Sequence, residues 1–141
     1  MIDVSGKKAI PRKAVAEGKI RLKKETLESI RNKSVKKGDV YSVAEVAALS
    51  ALKRTSETIP HCHNIPLDYA KVELETGGDH ALARVTVSAH AKTGVEMEAL
   101  VGVTAALCTV WDMVKYLEKD STGQYPDTLI YDVRVTEKRK G

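Results

Sequence analysis

Four short stretches of this chain gather residue types that bind anions or move protons. Lys36-Lys37-Gly38-Asp39 sets two ammonium groups beside a glycine, just ahead of a helical pattern whose free backbone N–H groups favour an anion. A phosphate suits such a loop, although an ordinary solvated basic loop has the same spacing. It is not a Walker loop, because the second glycine and the following Ser or Thr are missing. Lys53-Arg54-Thr55 forms a second cationic cluster, placed where cations complement the negative end of a helix. The Lys53 and Glu57 pair at i, i+4 contributes only ~0.3–0.5 kcal/mol, so a second phosphate contact is the more informative reading.

His61-Cys62-His63 follows Ile59-Pro60. Neighbouring side chains of an extended segment point to opposite sides, so at most His61 and His63 share a face. A structural zinc would need partners from Cys108, His80 or His90. A histidine held behind a rigid proline turn fits proton transfer better, because imidazole titrates near neutrality. Glu96 and Glu98 flank Met97 near a predicted helix start, where the dipole stabilises carboxylates without any further role. Asp112 and Lys115 are three apart on the far end of the same segment and share a face, as a plain surface ion pair also would.

The elements that must position these groups follow from periodicity. Residues 1–14 lack a sustained period and read as an extended arm carrying Arg12. Residues 14–22 fit either one bulged strand or a loose hairpin, and residues 25–32 a short helix. The spacing predicts a long helix over 41–59, capped by Asp39 or Ser42 and stopped by Pro60. Residues 69–76 and 83–90 alternate around valine and form a hairpin through Gly77-Gly78-Asp79. Gly94 opens a helical segment through 119 that is apolar on every face between 99 and 110, the mark of a helix buried in a core or between subunits. A last strand covers 129–136, and 137–141 read as a frayed charged tail. The order β, α, α, β, β, α, β predicts an α+β fold, an antiparallel sheet with helices on one face.

One distance constrains function at once. Glu96 and Asp112 are sixteen residues apart, roughly 24 Å along a straight helix, so one pocket cannot use both from the same chain. Antiparallel pairing of this helix across a two-fold axis would assemble each site from two subunits.

Composition bounds the rest. A chain of 141 residues that is 43% hydrophobic and 30% charged fits a single domain over 1–141 and excludes a disordered tail. Two cysteines cannot make a disulfide scaffold, and with no signal-like leader the reading is a reducing cytoplasm. The nearly uncharged run 99–111 is shorter than the ~20 residues of a spanning helix, so no membrane is expected. A net charge of +4 attracts phosphate-bearing ligands without demanding a polyanion, and 4% aromatics leave few stacking platforms for single strands.

Taken together, Lys36-Lys37-Gly38-Asp39-Val40, Lys53-Arg54-Thr55 with Ile59-Pro60-His61-Cys62-His63, the run from Lys92 to Leu100 through Gly94-Val95-Glu96-Met97-Glu98, and Asp112-Met113-Val114-Lys115 closely resemble the molybdenum cofactor biosynthesis protein C family, the cyclic pyranopterin monophosphate synthases. The resemblance covers about residues 3–135. It implies a ferredoxin-like subunit in a homohexamer, a trimer of dimers with sites at the dimer interfaces. It also implies a lyase-type conversion of a 3′,8-cyclised dihydroguanosine triphosphate to cyclic pyranopterin monophosphate and pyrophosphate. The substrate would come from a radical SAM GTP 3′,8-cyclase. No cofactor is implied, although magnesium could accompany the triphosphate.

Residue by residue, the resemblance places catalysis on Lys37, Lys115, Asp112 and His63. It places substrate binding on Arg12, Lys53, His61, Cys62, Glu96, Met97 and Glu98. The lysines would move protons, His63 and Asp112 would assist, and Arg12 and Lys53 would hold phosphates. Two departures are His61 and Asn64, where family members often carry Leu and Pro. Another is the ending Thr136-Glu137-Lys138-Arg139-Lys140-Gly141 in place of a glycine-rich tail. The competing readings are a basic α+β nucleic-acid-binding module, with binding lost steeply in salt, and a structural oligomer that no ligand stabilises.

Overall fold

The computed structural model describes residues 1–141. In chain order the elements are β1 (Ile10–Arg21), α1 (Lys24–Arg31), α2 (Val40–Leu52), α3 (Thr55–Thr58), β2 (Tyr69–Thr76), β3 (His80–Ala91), α4 (Glu96–Glu118) and β4 (Leu129–Lys140). The strands form one antiparallel sheet in the order β2-β3-β1-β4. With α2 and α4 as the two crossovers on one face, this is the ferredoxin-like βαββαβ arrangement. The α+β fold expected from element order is the one observed.

Small residues let the layers close. Ala14, Ala16, Ala81, Ala83 and Ala89 line the inner face of β1 and β3 and are almost fully buried beneath α4. Gly18 allows the nearest approach, since a Cβ there would stand 2.8 Å from Val103 Cγ1 and 2.9 Å from Leu107 Cδ1. α4 is long and apolar enough by composition to cross a membrane, unlike the shorter run 99–111 read from sequence. Half of that apolar window is buried inside the fold, as in a core helix.

Several expectations need correction. β1 is one continuous strand that begins at Ile10, so the extended arm stops short of Arg12. The helix expected over 41–59 ends at Leu52 and resumes as the single turn α3. The break has a local cause: Thr55 Oγ1 donates to the Leu52 carbonyl at 2.8 Å, while Arg54 N turns back to Ala51 O. Lys53 is therefore the C-cap, and it has no helical i, i+4 relation to Glu57.

The tail read as frayed is strand. Residues 137–140 continue β4 and pair with Val15 through Arg12. The register shifts twice along this pairing, once opposite Gly18, with Asp132 at φ 55°, and once at Thr136. Each bulge adds a residue and reverses which side chains face the helices. The reversals carry Lys138, paired with Ala14, to the helix-facing side of the sheet.

Candidate active site

The C-terminal part of α4 carries the first cluster. Gly38 takes φ +114°, a conformation that requires glycine, and turns the chain into α2, where Asp39 accepts from Ser42 N at 3.2 Å as the N-cap. On the other side of that turn, Lys36 N donates to Tyr116 Oη at 2.9 Å, and the Lys36 ammonium lies 5.3 Å from the Tyr116 ring centroid. The loop is thereby fastened to the last turns of α4. Lys37 Nζ reaches Asp112, donating to its backbone oxygen and to Oδ2, both at 3.0 Å. Lys115 Nζ sits 3.3 Å from Oδ1 of the same carboxylate. The bonds from Lys37 and Lys115 hold the Asp112 carboxyl below its usual range, so an anion fixes two ammonium groups side by side.

The N-terminal end of α4 carries the second cluster. Glu98 is only 3% exposed; Oε2 accepts from Cys62 Sγ at 3.8 Å and Oε1 has no partner. Burial pushes the Glu98 carboxyl up, and burial with the neighbouring Glu98 charge also raises the Cys62 thiol. An orphaned buried oxygen of this kind is a strong acceptor for a ligand N–H. Two residues earlier on α4, Glu96 Oε1 lies 2.5 Å from Lys138 Nζ. Burial opposes ionisation of Glu96, but the Lys138 bond with the charges of Lys138 and Arg12 outweighs it and leaves the carboxyl below its usual range.

His63 Nε2 donates to the Ile2 carbonyl at 2.8 Å, which leaves Nδ1 as the acceptor of the neutral ring. His61 Nδ1 is 3.1 Å from Met1 N. Arg12 is 7% exposed, with Nε and Nη2 donating to the carbonyls of Ala91 and Lys92 at 3.3 and 3.1 Å. Its remaining edge joins Lys13 and Arg139 around a recess of about 220 Å³. Lys53 is exposed at the C-cap of α2. No three His, Cys, Asp or Glu side chains converge as metal ligands.

Of the residues singled out by sequence, Lys37, Asp112 and Lys115 come together. Cys62 and Glu98 also meet, with Glu96 two residues away in the same first turn of α4. Lys53 joins neither group by a hydrogen bond or ion pair. Sequence reasoning missed Lys138, because the tail was read as frayed and only the bulge at Thr136 turns it inward. Lys138 pairs with an acidic residue already in view, yet no local signal gives the strand phase.

Between the two clusters α4 presents an open apolar groove of about 430 Å³, lined by Ala51 and Ile59 and by Met97, Leu100, Val101 and Cys108 among others. Met97 is the substrate-binding expectation that lies in this groove rather than in either polar cluster.

The model of the MoaC family matches residues 1–141. The chain is 56% identical over 141 residues to a protein of Aeropyrum pernix named probable cyclic pyranopterin monophosphate synthase, covering 100% of this chain and 97% of that one. A protein of the same name from Methanosarcina acetivorans is 55% identical over 141 residues, covering 100% and 89%. One from Methanothermobacter thermautotrophicus, 51% identical over 140 residues with coverage of 99% and 88%, is named probable cyclic pyranopterin monophosphate synthase accessory protein. The match spans both clusters and the helix that joins them, and the chain belongs to the MoaC family.

Proposed function

We propose that this chain is a cyclic pyranopterin monophosphate synthase of molybdenum cofactor biosynthesis. It converts a 3′,8-cyclised dihydroguanosine triphosphate to cyclic pyranopterin monophosphate and releases pyrophosphate. The carrying observation is the pair of ammonium groups, Lys37 and Lys115, held on the single carboxylate of Asp112 in a chain that belongs to this family. Opening and reclosing a C–N bond needs one group to give a proton and another to take it. The two lysines, anchored as ammonium groups on one anion, each offer a proton at Nζ, while Asp112 keeps them in register. The free Nδ1 of His63 offers the proton-accepting position, and the unpartnered Oε1 of Glu98 receives an N–H of the substrate. Arg12, beside the basic recess, and exposed Lys53 neutralise phosphates. Magnesium enters, if used, as a companion of the triphosphate.

The two clusters lie some sixteen residues apart on one helix, and the groove between them is apolar. A second copy docking antiparallel on that groove would bring the lysine cluster of one chain to the glutamate cluster of the other. Such dimers, three to a homohexamer, complete the sites. The reaction is of the lyase class, takes place in the cytoplasm and takes its substrate from a radical SAM GTP 3′,8-cyclase.

The direct test is to supply the cyclised triphosphate to the purified protein and follow pyrophosphate and the cyclic monophosphate product. Stoichiometric release of both is expected, and an assembled protein that releases neither contradicts the assignment.

A further inference from the structure

Beside the lysine cluster is a cavity of about 280 Å³, lined by Cys108, Trp111, Asp112, Lys115, Tyr125 and Ile130. Its wall is aromatic: the Trp111 and Tyr125 rings meet edge to face, with centroids 5.2 Å apart and planes at 68°. Trp111 directly precedes Asp112 on α4, whereas Tyr125 comes from the loop between α4 and β4.

That loop is firmly built. Asp120 Oδ1 accepts from Thr122 N, Thr122 Oγ1 and Gln124 N at 2.8, 2.6 and 3.0 Å. The backbone closes on itself through Asp120 N to Gln124 O and Gly123 N to Asp120 O, with Gly123 at φ +81°. At the stem, fully buried Glu118 accepts from Thr128 Oγ1 at 2.7 Å. A surface loop fixed at tip and stem delivers one ring onto another at the edge of the two catalytic lysines. This is more than a polar connection requires.

We propose that Trp111 and Tyr125 receive the planar purine-derived ring of the substrate, with Tyr125 as a specificity-determining residue. The inference rests on the synthase reading for the identity of that ring. The flat pyrimidinone half of the substrate's dihydropurine presents a π-face on which an aromatic side chain can stack, whatever its substituents. The recess of Arg12, Lys13 and Arg139 offers three cations to the phosphates, whereas the one cation lining this cavity, Lys115, is held on Asp112 beside an aromatic wall.

Trp111 is the single tryptophan of the chain, so its fluorescence reports this cavity directly. Wild-type protein titrated with GTP and with guanosine should show saturable quenching, and inorganic triphosphate should leave the emission unchanged. Tyr125→Phe should hold GTP within about twofold of wild type. Tyr125→Leu, which keeps an apolar side chain on Trp111 but removes the ring, should weaken GTP by about tenfold. Equal quenching by inorganic triphosphate, or GTP binding by Y125L at wild-type affinity in protein with an unchanged melting curve, overturns the proposal. Product release separates the two readings. Release without quenching removes the ring site alone, whereas quenching without release supports the ring site and removes the synthase assignment.

Discussion

At the scale of single residues, two carboxylates of α4 have opposite fates. Asp112 is exposed and satisfied by two ammonium groups, so it remains ionised. Glu98 is buried with one oxygen unpartnered, and burial raises its pKa. A carboxyl whose folded pKa lies above its unfolded value of 4.5 favours folding fully below that value, and the contribution is lost as pH rises through the folded pKa. Glu98→Gln removes this loss. The melting temperature of E98Q relative to wild type should therefore increase from pH 4 to pH 7, while substrate affinity falls. A difference independent of pH would show that Glu98 is not held in an uncomfortable ionised state. For the lysines, Lys37→Ala and Lys115→Ala should each lower kcat by ~10²–10⁴-fold with the oligomer and melting curve retained, checked by product release and sedimentation. Residue types and spacing made these groups legible in the sequence. The contacts that aim them were not, since Lys36 to Tyr116 and Glu96 to Lys138 join segments that no local pattern connects.

At the scale of elements, position depends on how closely α4 can approach the sheet. Gly18 has no side chain because Val103, Leu107 and Val133 occupy the space a Cβ would take. Gly18→Ala should destabilise the fold by ~1–3 kcal/mol, measured by denaturant unfolding, because α4 must shift or its side chains leave their rotamers. An unchanged midpoint would contradict that close approach. The hairpin over β2 and β3 and the helical course of α2 and α4 were readable, since period and turn residues specify them locally. The break after Leu52 was not, because it depends on a hydroxyl capturing a carbonyl rather than on propensity. Nor was the inward turn of Lys138, because bulges change the phase of a strand without changing its alternation in a visible way.

At the scale of the whole molecule, the central claim is that neither cluster is a complete site. The lysine end and the glutamate end of α4 are held apart by the helix itself, and an apolar groove lies between them. This separation was legible from the count of residues alone; the groove needed the fold, because only packing shows which face of an all-apolar helix is left uncovered. The decisive measurement is product release by mixed oligomers. Lys37→Ala/Lys115→Ala and Cys62→Ala/Glu98→Ala chains, each inactive alone, are co-expressed with different tags and the mixed species isolated. A heterodimer carries one site with both defects and one with neither, so it should recover about half of the wild-type rate per dimer. Mixed oligomers that form and stay as inactive as their parents would contradict a site shared between two chains.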